Sequence, residues 1–285
     1  MTVATPYQTE TDVIPLGQIY SLISLPKQGK STFAMSSPPG TIFLEVERGS
    51  FIAAWHNDHC RAWLKKRGRT EFPAGDIYPV PDWPSFHDTV EAVLFRPSVR
   101  PCDVVVVDHL TALSDALERH HDPYSQLDPR SAWGKIWRDW DWLLEGCQKR
   151  GYLLIAISQL VDRSTKIQDS VRDKKTNTKI ALEITEDDLW ISPDITGKAR
   201  KRLLERCSAN LQIQRIGKGA SSQYVIHTEE NAGVQNFHRF NFPPRLEDAD
   251  MLQVLELSGA WSTEDGSAEV KKTKTQKTKK TTKKG

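Results

Sequence analysis

Residues 17–32 read GQIYSLISLPKQGKST, and this stretch decides the fold. Gly17–Leu25 has the unbroken apolar character of a buried strand, Pro26–Gly29 can only be a tight loop, and a helix is expected from Lys30. Gly-Lys-Ser at the join of a buried strand and a helix is the layout of a phosphate loop, whose successive backbone N–H groups and positive helix end cradle an anion. In that reading Pro26, Lys27, Gln28, Gly29, Lys30, Ser31 and Thr32 form the nucleotide-binding set. Lys30 reaches the β- and γ-phosphates of ATP, the Ser31 hydroxyl is a ligand for Mg2+, and Gly29 permits the close backbone approach. The bland alternative is a surface turn before a helix; the buried strand in front of it favours the phosphate loop. One departure stands out. The full motif has Gly six residues before the Lys, where this chain has Ser24.

Outward from that loop, strands and helices alternate. Thr41–Val46 (TIFLEV) is a strand that runs into Glu47, and a helix is expected over Phe51–Lys66. Asp76–Val80 is a short strand whose Pro79 suits a sheet edge. A helix over Asp82–Phe95 follows, with Asp82 as N-cap and Trp83, Phe86, Val90, Val93 and Leu94 on one face. Asp103–Val107 contains four consecutive Val, and such a run belongs to a strand covered on both faces, the mark of a parallel sheet. Ser131–Lys149 is an amphipathic helix whose Trp133–Trp140 stripe is read as core packing. Tyr152–Ile157 is another buried strand, and Lys198–Cys207 is a basic helix. Strands are expected near Leu211–Ile216 and Gln223–Thr228, with a short apolar helix at Met251–Leu257. This alternation predicts an α/β fold with a mainly parallel, doubly wound sheet flanked by helices. Ligands of such sheets bind beyond the carboxyl ends of the strands, where the polar residues of interest fall.

Three of those residues carry chemistry. Asp108 ends the DVVVV strand, where a carboxylate beside a phosphate loop holds Mg2+; the alternative is a strand-ending Asp that caps the next turn. Glu47, after the TIFLEV strand, could polarise the water that attacks a γ-phosphate, with Glu45 as the alternative and a solvated loop glutamate as the bland reading. Gln159, at the end of YLLIAIS, could bond the γ-phosphate and report its loss to the segment beyond, or be an ordinary polar strand end.

Strand–PKQGKST–helix, then FLEVERG, DVVVVDHLTAL and LLIAISQ resembles the RecA-like recombinase core. Within it the chain is most similar to phage-encoded ATPases of the single-strand-annealing Sak group, over about Gly17 to Pro244. The resemblance implies a RecA-like P-loop NTPase core with Lys30 and Ser31 on phosphate and Mg2+, Glu47 as catalytic glutamate, Asp108 as the second metal-site residue and Gln159 as a switch. It implies DNA-binding loops after Gln159, single-stranded DNA and a single-strand-binding protein as partners, and homo-oligomeric rings or filaments. It also implies a basic residue acting in trans from a neighbouring copy, with Arg239 and Lys218 as candidates, and a cytoplasmic setting in a phage-infected bacterial cell. The domain division expected is an N-terminal extension over 1–16, the ATPase domain over 17–260 and a disordered Lys/Thr-rich tail over 261–285. Two rivals share these motifs: a helicase- or packaging-type motor, and a nucleotide-regulated binding module with little turnover, which Ser24 makes credible.

Composition narrows the classes. A chain of 285 residues suits one large α/β domain with additions. No apolar run is long enough for a membrane span, and the start of the chain lacks a signal-peptide layout, so a cytosolic protein is expected. Four scattered Cys (Cys60, Cys102, Cys147, Cys207) favour reduced thiols over disulfides or zinc. The formal net charge of +2 conceals an asymmetry, because the last fifteen residues carry eight Lys and no acid. That tail would raise affinity for any polyanion or merely solubilise the chain. The segment over 161–197, read as mobile, carries Arg163, Lys166, Arg172, Lys174 and Lys175 as DNA-binding candidates, but interleaved acids make a solvated loop an equal account.

Overall fold

The computed structural model describes residues 17–73, 76–125, 127–162, 191–195, 197–217, 223–229 and 236–261. Ten strands form one mixed, mostly parallel sheet. They are β1 (Ile19–Ser24), β2 (Ile42–Glu45), β3 (Ile77–Pro79), β4 (Val104–Asp108), β5 (Leu153–Asp162), β6 (Ile191–Pro193), β7 (Ala209–Ile216), β8 (Gln223–His227), β9 (Phe237–His238) and β10 (Arg245–Glu247). The order across the sheet is β10-β8-β7-β1-β5-β4-β2-β3, with β6 paired to β5 and β9 to β7. From β7 to β3 the neighbours on this path run parallel, while β8, β10, β6 and β9 are antiparallel additions. This is the helix-flanked α/β sheet expected for a RecA-like core, with β3 and its Pro79 at the edge.

The four Val of β4 show why a continuous apolar run marks a parallel strand. Successive side chains point to opposite faces. Val105 and Val107 enter a core layered by α4 (Trp83–Thr89), α5 (Leu110–His121), α6 (Pro129–Lys149) and α7 (Gly197–Arg206). Val104 and Val106 enter the other, under α1 (Lys30–Ala34), α2 (Ser50–His56), α3 (Asp58–Lys66) and α8 (Met251–Leu257). Trp140 of the Trp stripe is buried, and Trp133 and Trp137 pack at the rim of the same core. All four Cys are buried and free. Burial pushes the Cys102 and Cys147 thiols up to about 12, which keeps them protonated.

Several expectations are corrected. The helix expected over Phe51–Lys66 is two helices, because Asn57 turns extended and its side chain accepts from the His59 and Cys60 amides as the N-cap of α3. The Asp82–Phe95 helix has its Asp82 cap, but after Thr89 it continues as a π-helix over Val90–Phe95. His120 and His121 form the last turn of α5, where His121 Nε2 lies 2.6 Å from Asp139 Oδ2 of α6. The strand expected to stop at Ile157 runs on to Asp162, because β6 pairs with its far end. Among the described residues no helix is long and apolar enough to cross a membrane.

Chain direction positions the site. After β1 the chain passes into α1 on one face, whereas after β4 it passes into α5 on the other. Connections that part in this way leave a crevice at the carboxyl ends of the central strands. The register aligns those ends: Ser24 lies beside Gln159, Ile157 beside Asp108, and Asp108 beside Glu45.

Candidate nucleotide site

The turn Leu25–Gly29 connects β1 to α1, with Lys27 (φ 64°) and Gly29 (φ 84°) both in the left-handed region. Alternation of that kind aims consecutive amides into one concavity, a nest for an anion. Gly29 is required twice. Its φ disfavours any L side chain, and a Cβ there would collide with the Tyr224 hydroxyl and lie 2.6 Å from Tyr224 Cε1. Tyr224, on β8, is buried, hydrogen-bonds Thr32, and has its phenol pushed up to about 12 by burial. The Gln28 side chain also turns inward, Oε1 accepting from the Arg215 amide at 3.0 Å. Gln28 and Thr32 are therefore anchored by their side chains to the β7–β8 side of the sheet, leaving backbone amides to face a ligand. Pro26 and Lys27 are exposed on the turn.

Lys30 is buried, and its Nζ donates to Ser24 O, Ser24 Oγ and Leu25 O, each at 3.2 Å. Ser24, the departure from the full motif, thus offers its hydroxyl to Lys30. Burial lowers the Lys30 pKa, and the negative charges of Asp108 and Glu47 oppose that shift.

Beside the lysine, Ser31 Oγ donates to Asp108 Oδ2 at 2.6 Å, joining residues 77 apart in the chain. Ser50 Oγ, at the start of α2, lies 2.9 Å from the same Oδ2 and 3.2 Å from Glu45 Oε1. Asp108 is fully buried at the tip of β4. Burial raises its pKa, against hydrogen bonds from Ser31 and Ser50 and the charge of Lys30. The donor set fits Mg2+, a hard cation that takes oxygen ligands, typically one or two carboxylates with waters and substrate phosphates. Among the described residues no group of three or more His, Cys, Asp or Glu could hold a metal by itself. The ion this site suits is one that shares its shell with a substrate.

The two candidate glutamates differ. Glu45 is buried, and its Oε1 accepts from the Phe51 amide at 3.0 Å, so it fastens the start of α2. Glu47 lies beyond β2 with its side chain 61% exposed, and its Oε2 is 2.6 Å from His109 Nε2. Gln159 is not a free strand end. It is where β5 changes partner from β1 to β6, its amide N donating to Thr111 Oγ1 at 3.3 Å and its carbonyl accepting from Asp194 N at 2.8 Å. Its Nε2 is 3.4 Å from His109 Nε2.

The structure thus gathers Lys30, Ser31, Asp108, Glu47 and Gln159 at one end of the sheet. Arg239 lies elsewhere. It is exposed, and its backbone N donates to Ser208 O, next to the amino end of β7 and so at the opposite end of the sheet from the Leu25–Gly29 turn. Lys218, Arg163, Lys166, Arg172, Lys174 and Lys175 lie outside the described residues. Sequence reasoning overlooked His109, Ser50 and Tyr224. His109 was in plain view as the neighbour of Asp108, and Ser50 as the first residue after ERG. Nothing local announces Tyr224, whose contact with Gly29 exists only because β8 folds back beside β7.

No family model matches the chain, and no curated protein matches it. Among solved structures it is similar to a crystal structure of the RadB recombinase, at 17% sequence identity and a TM-score of 0.46 over 82% of this chain and 87% of that one.

Proposed function

We propose that this chain is an ATP-binding and ATP-hydrolysing RecA-like protein that engages single-stranded DNA in phage recombination or replication. The observation that carries the nucleotide part is the 2.6 Å contact between Ser31 Oγ and Asp108 Oδ2 beside a turn whose Gly29 is in the left-handed region. A helix-capping Asp needs no such partner across the crevice, and a surface turn would not bury its lysine.

The triphosphate lies against the amides of Leu25–Gly29. Lys30 exchanges its contacts with Ser24 and Leu25 for phosphate oxygens, which restores a full complement of acceptors around a desolvated ammonium. Bound Mg2+ supplies charge neutralisation on the phosphates, with Ser31 and Asp108 as the residues that hold it. Glu47, the accessible carboxylate, orients and polarises the attacking water, while Glu45 stays structural. Gln159 bonds the γ-phosphate. Because the same residue passes the strand from β1 to β6, its position depends on where the 163–190 segment begins and ends, which is how turnover communicates with DNA. The DNA part rests on the basic residues of that segment and on the Lys-rich tail. Homo-oligomers with a residue such as Arg239 acting in trans suit a group at the far end of the sheet from its own phosphate loop.

A binding module with little turnover is the second reading, favoured by the Ser24 hydroxyl on Lys30. ATPase rates with and without single-stranded DNA, for wild type and Lys30→Ala, decide between them. Turnover stimulated by DNA and lost in the variant supports hydrolysis; nucleotide binding without turnover supports the module. Indifference to both DNA and the substitution rejects the ATPase.

A further inference from the structure

We infer that His109 is a positioning residue, holding the Glu47 carboxylate in one orientation for its work on the attacking water; the inference rests on the ATPase reading above. Glu47 needs such help. It follows β2 outside the strand ladder, and at 61% side-chain exposure most of its side chain faces solvent, which selects no single rotamer. An unrestrained glutamate loses rotamer freedom each time it acts, which raises the barrier to the step it assists.

His109 has the opposite character. Its side chain is 8% exposed. It is the N-cap of α5, where Nδ1 accepts the Ala112 N–H at 3.1 Å. A proton on Nδ1 would face that amide hydrogen, so the ring carries its proton on Nε2. Nε2 therefore donates, and the acceptor is Glu47 Oε2 at 2.6 Å, 62 residues away in the chain. One carboxylate oxygen is fixed by a buried, capped ring, and Oε1 is left for water.

Gln159, assigned to the γ-phosphate, approaches the same edge of the ring, its Nε2 3.4 Å from His109 Nε2; with the proton on His109 Nε2 this is a contact and not a hydrogen bond. The ring is also covalently next to Asp108 in the chain.

The simpler account is that His109 only caps α5. That role uses Nδ1 alone and has no need of the Nε2 bond. His109→Asn separates the two, because Asn is a strong N-cap whose side chain is too short to reach Glu47. His109→Gln does the reverse, carrying an amide N toward the place of Nε2.

The test compares steady-state ATP turnover and binding of a fluorescent ATP analogue in the full chain for wild type, H109N, H109Q, E47Q and H109N/E47Q, with thermal melts as a check on folding. The expected result is that H109N binds nucleotide within about twofold of wild type and loses turnover about 10- to 100-fold, with H109Q recovering part of it. The double variant turns over no more slowly than E47Q, as required of a group that acts through Glu47. An H109N enzyme within twofold of wild-type turnover overturns the inference, as does a double variant whose losses multiply. Should H109N melt early, the comparison of H109N/E47Q with E47Q is read on the folded fraction and decides in the same way. If wild type turns over ATP and E47Q is slowed but still measurable, failure at H109N sinks His109 alone. A wild type with no turnover sinks the ATPase reading, and His109 with it.

Discussion

Replacing Gly29 with Ala should cost more than any other single methyl added to this loop. The residue has φ 84°, where a non-glycine residue costs about 1–2 kcal/mol. The added Cβ would overlap the Tyr224 hydroxyl and sit 2.6 Å and 2.8 Å from Cε1 and Cζ. The ring cannot yield, since it is fully buried with its centroid 4.6 Å from that of Trp63 and 6.1 Å from that of Phe33. Overpacking in such a place costs about 1–3 kcal/mol. Together the two effects predict a loss of about 2–5 kcal/mol, read as a fall in urea midpoint at constant m-value. Tyr224→Phe removes only the hydroxyl. In the Gly29→Ala background it should therefore recover part of the overpacking loss and none of the backbone strain, a coupling that a double-mutant cycle measures. A Gly29→Ala variant within about 0.5 kcal/mol of wild type, or one that Tyr224→Phe makes worse, would refute the placement of Tyr224 against the loop.

Asp108→Asn should abolish Mg2+-dependent turnover yet stabilise the nucleotide-free protein at neutral pH. Burial raises the folded-state pKa of Asp108. The folded state then holds its proton more tightly than the unfolded chain, so stability from this group is greatest below the unfolded value near 3.8 and is lost as pH rises through the folded value. The melting-temperature gap between variant and wild type should accordingly narrow as pH falls toward 4; a gap that widens contradicts this. Ser24→Ala removes one of the three acceptors on Lys30 Nζ, which the ammonium must leave to reach phosphate. At about 1.5–3 kcal/mol for a hydrogen bond to a charged group, the variant should bind ATP about 10- to 150-fold more tightly by calorimetry. Weaker binding would mean that Ser24 supports the bound state instead.

How much of this was visible in the sequence depends on range. β4 and the strand–turn–helix around Gly29 were visible because their signals are local: four Val that must be covered on both faces, and Gly-Lys-Ser after a buried run. The break at Asn57 was not, since Phe51, Trp55, Cys60, Trp63 and Leu64 keep an apolar pattern through both helices and only the capping bonds reveal two axes. The length of β5 was hidden for another reason. Ser158–Asp162 is too polar to read as a core strand, and what holds its far end is pairing with β6 across 163–190. His109 illustrates the limit most sharply. Its partner Glu47 is brought near by the β2–β4 register, which extends through Val46 N donating to Asp108 O at 2.8 Å. No periodicity along the chain encodes that neighbourhood.

The central claim is that the turn from Leu25 to Gly29 wraps a triphosphate, with Ser31 and Asp108 flanking its metal ion. A crystal structure of the chain with Mg2+ and a non-hydrolysable ATP analogue tests it most directly. The account predicts phosphate oxygens on the turn amides, Lys30 Nζ moved off Ser24 onto phosphate, and Mg2+ about 2.1 Å from Ser31 Oγ with Asp108 beside it. A nucleotide bound elsewhere, or a turn that keeps Lys30 on Ser24 and Leu25 with nucleotide present, would contradict it.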